Sequence, residues 1–184
     1  MALARILWQL AGMFNGAVIV MGVTSCGKTS VGEGLGAKMG CPYIEGDKLH
    51  PAANIKKMSA GIPLDDDDRW PWLDIIGKAM KAECGKGRGV VASCSALKKV
   101  YRQRLATAAG TPISFIFLHG DRDLLARRIA AREGHFMPPS LLDSQLKTLE
   151  IPGPEESALH LDVALPVNVL VDLSKDYAMK REHK

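Results

Sequence analysis

Five short runs of consecutive apolar residues recur along the chain, at Ala17–Met21, Pro42–Ile44, Gly89–Ser93, Ile113–His119 and Ala158–Val163, with longer mixed segments between them. Consecutive rather than alternating apolar positions suit a strand buried on both faces, so these runs predict a parallel sheet covered by helices on each side. The intervening segments carry helical spacing at Lys28–Met39, Asp68–Cys84, Ala96–Ala109, Asp121–Glu133, Pro139–Glu150 and Pro166–Lys180. Asp68 and Asp121 are expected as N-caps, and Gly85 and Gly110 as stops. Gly32, Gly34 and Gly36 lower the intrinsic helicity of the first helix, which must then be held by packing and by what binds at its start. Strand and helix alternate throughout, which predicts a three-layer α/β domain.

At 184 residues the chain is long enough for one well-buried core, and 47% hydrophobic with 24% charged residues is ordinary globular composition. Residues 1–14, MALARILWQLAGMF, read as an N-terminal extension without a small-residue cleavage site, ahead of a single domain over residues 15–184. The net charge of +4 is mild and its cations are interspersed with acids, so no nucleic-acid footprint is called for and no membrane span is expected. Cys26, Cys41, Cys84 and Cys94 form no CxxC pair, which argues against a zinc site or a disulfide framework and for a reducing compartment.

Chemistry enters directly after the first run. Gly22, Val23, Thr24, Ser25, Cys26, Gly27, Lys28 and Thr29 fill every position of the GxxxxGK[ST] pattern, with Ser30 following. A glycine-rich turn between strand and helix directs its backbone N–H groups at a polyphosphate, and the helix N-terminus adds favourable potential. Lys28 is placed to reach the β- and γ-phosphates of ATP and the Thr29 hydroxyl to ligate Mg²⁺. Cys26 lies inside this loop, where the helix terminus could lower its pKa; a buried, inert thiol is the other reading.

A second cluster, EGDKLHPAANIKKMSAGIPLDDDDRWPWL over 45–73, exceeds what an ATP-binding domain needs. Together with CSALKKVYRQRL over 94–105 and REGHFMPPSLLDSQLKTLEIP over 132–152, it resembles the gluconokinases, small P-loop sugar-acid kinases related to shikimate and nucleoside monophosphate kinases. The resemblance spans nearly everything after Met13. It implies a P-loop NTPase fold with a five-stranded parallel sheet, ATP and Mg²⁺, and phosphorylation of D-gluconate at its 6-hydroxyl to feed the pentose phosphate pathway. A cytoplasmic homodimer, an acceptor-binding segment over 45–73 and a mobile lid over 128–140 are implied as well.

Asp47 follows the second strand at the ligand-bearing edge of the sheet, where it can orient the acceptor hydroxyl and take its proton. Glu45, two residues earlier on the same side, could hold a Mg²⁺-bound water; the family more often has Asp there. Arg69 offers a planar fork for the substrate carboxylate, and His50, Asn54 and Lys57 add donors near a short helix after Pro51. Asp65–Asp67 read as a solvated turn capping the helix at Asp68, and Trp70 and Trp72 as packing residues, with the Trp72 N–H able to shape the pocket. Lys98, ahead of Lys99, could neutralise phosphate or carboxylate charge; a solvated basic helix face, with Arg102, is the alternative. Arg128 and Arg132 project from one helix face, and the family pattern implies contacts with adenine and the phosphates. Gln145 resembles the family's SQ pair and could touch the acceptor hydroxyls. Two alternatives to gluconate phosphorylation stay open on the residues alone: another small anionic acceptor, or a nucleotide-binding module without turnover.

Overall fold

The computed structural model describes residues 14–131 and 139–182. Its sheet contains β1 (Ala17–Met21), β2 (Tyr43–Glu45), β3 (Val90–Ser93), β4 (Ile113–His119) and β5 (Ala158–Asp162). All pairings are parallel, in the order β2-β3-β1-β4-β5. Every residue of β1 is buried, which requires cover on both faces. That cover comes from two helix pairs: α1 (Lys28–Met39) packs on α7 (Val167–Glu182), and α3 (Asp66–Cys84) packs on α4 (Lys99–Ala109). The short α2 (Ala52–Ser59), α5 (Arg122–Ala130) and α6 (Pro139–Thr148) complete the described helices. The expected three-layer architecture is present.

Several boundaries differ from the sequence expectation, each for a local reason. The second strand runs one residue further, so Glu45 pairs in register with Ser93. The acidic run starts its helix earlier: Asp65, not Asp68, is the N-cap. Its carboxylate accepts from the Asp68 N–H at 2.9 Å while Asp68 Oδ2 accepts from the Asp65 N–H at 3.0 Å. Asp68 is thus the return half of a capping box, whose two reciprocal bonds a start at Asp68 would lack. The helix expected from Ala96 begins at Lys99, because Ala96 has φ 44 and Lys98 is extended, which breaks the helical phase. Asp121 occupies its N-cap position without a side-chain cap bond, and that helix ends at Ala130 rather than Glu133. Gly85 and Gly110 are C-caps as expected.

The chain leaves β1 toward β2 on one side of the sheet and leaves β4 toward β5 on the other, which opens a crevice at the carboxyl ends of the central strands. Gly22 directly follows β1 with φ 136, and a Cβ there would lie 2.4 Å from the Leu118 carbonyl. Only glycine lets the chain turn out of β1 at this point.

Candidate active site

Two cavities open along the crevice. One, of about 590 Å³, is lined by Thr24, Ser25, Gly27, Lys28, Thr29 and Ser30 of the loop, by Glu45, Asp47 and Lys48, and by Arg128, Ile129 and Val167. The other, of about 420 Å³, is walled by α2 and α3 residues, among them Ile55, Met58, Arg69 and Trp72, with His50, Ser95, Leu141 and Gln145. They share Thr24, Lys28 and Asp47. The phosphate loop therefore forms a wall common to both.

The loop is built by its dihedrals. Ser25 and Gly27 have positive φ, and α1 starts at Lys28 with the Val31 N–H bonded to Gly27 O at 3.0 Å. Lys28 Nζ folds back onto the Val23 carbonyl at 2.9 Å, and the residue lines both cavities. Val23 and Cys26 face inward at 2% and 1% exposure, and burial pushes the Cys26 thiol pKa up. Of the two readings of Cys26, the inert thiol is the one that fits.

Thr29 Oγ1 donates to Glu45 Oε2 at 2.7 Å, and Tyr43 OH donates to the same oxygen at 2.8 Å. Ser93 Oγ donates to Glu45 Oε1. Burial opposes ionisation of Glu45, but the bonds from Ser93, Thr29 and Tyr43 outweigh it and hold the carboxyl below its usual range. An ionised carboxylate beside the loop hydroxyl is a hard oxygen pair suited to Mg²⁺. Asp47 lies in the 3₁₀ turn Gly46–Leu49 and is exposed to both cavities. The turn is clamped from two sides: Trp72 Nε1 donates to Gly46 O at 2.7 Å, and the Gly46 N–H donates to Ser93 Oγ at 3.1 Å. A Cβ on Gly46 would come within 2.0 Å of the Ser93 carbonyl, so the clamp needs glycine there too.

Arg69 is 8% exposed and lines the second cavity. Nη2 reaches the Leu64 carbonyl at only 3.4 Å, and Nε is buried without a hydrogen-bond partner. A buried guanidinium this poorly satisfied fits an anionic ligand that supplies the missing acceptors. Gln145, on α6, lines the same cavity, and its Oε1 accepts from the Thr24 N–H at 2.7 Å, tying α6 to the loop. Arg128 lines the first cavity, with Nη2 donating to the Val163 carbonyl at 2.7 Å. Arg132 and most of the 128–140 lid lie outside the described residues.

Three expected contacts are placed elsewhere. Asn54 is 3% exposed, and its amide nitrogen is taken up by the Asp68 carbonyl and by His50. Lys57 is held by the Asp68 carboxylate at 2.6 and 2.7 Å. Lys98 binds Asp66 at 2.7 and 2.9 Å over the Tyr101 ring. None of the three lines either cavity. Each cation sits beside an aspartate of the acidic run, so Asp66 is a partner in an ion pair rather than part of a merely solvated turn. Arg102 is buried at 2%, bonded to Glu156, to the Ala96 and Leu97 carbonyls and to Glu150 O, and braces the turn after β3.

Residues that sequence reasoning did not assign to the site are Tyr43, Lys48, Ser59, Ser93, Ser95, the apolar wall of Ile55, Met58, Leu64 and Leu141, and Ile129 with Val167. Tyr43 was within reach, since it shares a strand face with Glu45 by period two. The apolar wall left no mark in the sequence beyond ordinary hydrophobicity.

A parallel sheet, a strand–loop–helix phosphate cradle and a second cavity sharing that cradle define a P-loop kinase. Residues 18–152 match the AAA domain family model. The chain is 46% identical over 154 residues to a gluconokinase of Gluconobacter oxydans (strain 621H), covering 80% of this chain and 86% of that protein. It is 40% identical over 167 residues to the thermosensitive gluconokinase of Escherichia coli (strain K12), covering 90% and 83%. A solved gluconokinase from Sinorhizobium meliloti 1021 superposes with a TM-score of 0.82 at 48% identity, over 91% of this chain and 93% of that one. The chain belongs to the gluconokinase family.

Proposed function

We propose that this chain transfers the γ-phosphoryl group of ATP to the 6-hydroxyl of D-gluconate, giving 6-phospho-D-gluconate and ADP. The observation that carries this reading is the meeting of two cavities at Thr24, Lys28 and Asp47. A phosphate on the loop and a hydroxyl in the second cavity would face each other across those residues.

In this reading the loop N–H groups and Lys28 hold the β- and γ-phosphates, and Arg128, joined by Arg132, balances charge as the phosphoryl group moves. Ile129 and Val167 give the first cavity an apolar end for the base. Arg69 binds the gluconate carboxylate through the donors that have no strong protein partner. Asp47 orients the 6-hydroxyl and accepts its proton as the new oxygen–phosphorus bond forms and the bond to ADP breaks. Gln145 and His50 face the remaining hydroxyls. Thr29 would hold Mg²⁺ directly and Glu45 through water. When bound, that ion neutralises phosphate charge and orients the triphosphate. Among the described residues no group of three or more His, Cys, Asp or Glu could hold a metal, so the ion's other ligands would come from phosphate and water. A homodimer and a cytoplasmic location belong to the same reading and rest on the family resemblance; no described helix is long and apolar enough to cross a membrane.

The test is turnover of the recombinant chain with ATP, Mg²⁺ and a panel of small anionic acceptors, coupled through 6-phosphogluconate dehydrogenase to NADP⁺ reduction for gluconate and read as ADP release for the rest. Gluconate should rank first, and Lys28→Ala should abolish the signal. A different acceptor ranking first, or no turnover above that control, would overturn the reading.

A further inference from the structure

His50 lies between the 3₁₀ turn that bears Asp47 and the start of α2, and its imidazole stacks on the Trp72 indole with centroids 3.9 Å apart and planes 15° from parallel. The indole is itself fixed by its bond to Gly46 O. The ring plane of His50 is therefore set by a residue that also clamps the Asp47 turn. What remains is which ring nitrogen carries the proton.

Asn54 answers that through simple donor and acceptor accounting. Its amide nitrogen lies 2.8 Å from the backbone carbonyl of Asp68, which can only accept, so the amide orientation is fixed and one hydrogen is used. The same nitrogen lies 3.3 Å from His50 Nδ1 and has one hydrogen left. Two N–H groups cannot point at each other, so Nδ1 must accept. In a neutral imidazole the proton then sits on Nε2. Burial, aided by the charge of Arg69 and opposed by Asp47, brings the His50 pKa down to about 4, so the ring stays neutral near physiological pH. No described residue makes a hydrogen bond to Nε2, and His50 lines the acceptor cavity.

We propose that Asn54 is a positioning residue that locks His50 as the Nε2–H tautomer, giving the acceptor cavity one uncharged N–H donor beside Asp47. The acceptor's identity rests on the gluconokinase reading; the tautomer lock does not. A neutral ring matters because an imidazolium this near Asp47 would draw its carboxylate into an ion pair and weaken it as a base. The donor serves an oxygen next to the reacting one, since a hydrogen bond to the attacking lone pair would blunt the nucleophile. Together the pair sets opposite polarities side by side, Asp47 accepting and His50 donating, which matches adjacent oxygens of a polyol. An acceptor lacking the neighbouring oxygen leaves the N–H unpaired and is disfavoured.

The experiment uses the full chain labelled with ¹⁵N-histidine, without acceptor, near neutral pH, with the His50 signals assigned by their loss in His50→Gln. The expected spectrum shows an unprotonated Nδ1 and a protonated Nε2; the opposite tautomer, or a doubly protonated ring, overturns the proposal. In Asn54→Leu the tautomer should shift toward a mixture, with kcat/KM for gluconate down about tenfold or more and the KM for ATP unchanged. A folded variant with the wild-type tautomer overturns the positioning role. The amide of Gln can replace Nε2 and that of Asn can replace Nδ1, so His50→Gln should retain more gluconate turnover than His50→Asn; the reverse ranking overturns the donor assignment. The spectrum is recorded without acceptor and so stands or fails independently of gluconate turnover.

Discussion

In the proposed reading Asp47 and Arg69 take opposite ends of the acceptor, and that division makes their variants distinguishable. Asp47 is exposed to both cavities, and the task proposed for it is at the hydroxyl. Asp47→Asn should cut kcat by about 10²–10⁴ while the KM for ATP changes little, as measured by initial rates in both substrates. The role proposed for Arg69 is a ground-state contact. Arg69→Met should raise the KM for gluconate by about tenfold to a hundredfold, the worth of a charge-assisted bond, with a smaller change in kcat. The same variant should not lower the melting temperature, because it removes a buried guanidinium whose Nε lacks a partner. A clear loss of stability would mean that Arg69 serves the fold more than the ligand. That both residues line the second cavity was legible from their type and position. The burial of Arg69 with its Nε unpartnered was not, since it depends on Tyr101 and Leu64 closing around it.

The element that most depends on tertiary contact is the turn between β3 and α4. Ser95 lines the second cavity, Ala96 holds a positive φ, and α4 begins only at Lys99. Its N-terminus is satisfied from a distance: the Lys99 N–H donates to Glu150 Oε2 at 2.7 Å and the Glu150 N–H to Leu97 O at 2.8 Å. Arg102 then locks both segments through Glu156, with Nη2 to Oε2 at 2.8 Å. Glu156→Leu leaves a buried guanidinium without its counter-charge and should cost about 3 kcal/mol in chemical denaturation. Combining it with Arg102→Met should recover part of that loss. No sequence rule places a cap 51 residues from the helix it serves, which is why the helix was expected to begin at Ala96. The capping box at Asp65 was missed for the opposite reason: four consecutive aspartates offer several local starts, and packing of Trp72, Leu73 and Ile76 into the core selects one phase.

At the scale of the molecule, the sheet order brings the phosphate loop, the Asp47 turn and the β3 turn to one edge, while α6 reaches back to the loop through Gln145. Ligand binding should therefore tighten the chain as a whole. ATP with Mg²⁺ at about a hundred times its Kd should add about 2.7 kcal/mol, roughly 5–10 °C in thermal melts of a chain this long. Lys28→Ala or removal of Mg²⁺ by chelation should largely erase the shift. The sequence alone determined the class of fold, the phosphate loop and the gluconokinase resemblance, because these reside in contiguous patterns: apolar runs buried on two faces, a glycine spacing, and motifs whose residues stand next to each other along the chain. Tertiary structure alone decided which cations face the cavities. Lys57, Lys98 and Arg102 have the same formal charge as Arg69, yet their carboxylate partners lie 11, 32 and 54 residues away. Charge is a property of a residue, but its availability to a ligand depends on what the fold has already paired with it.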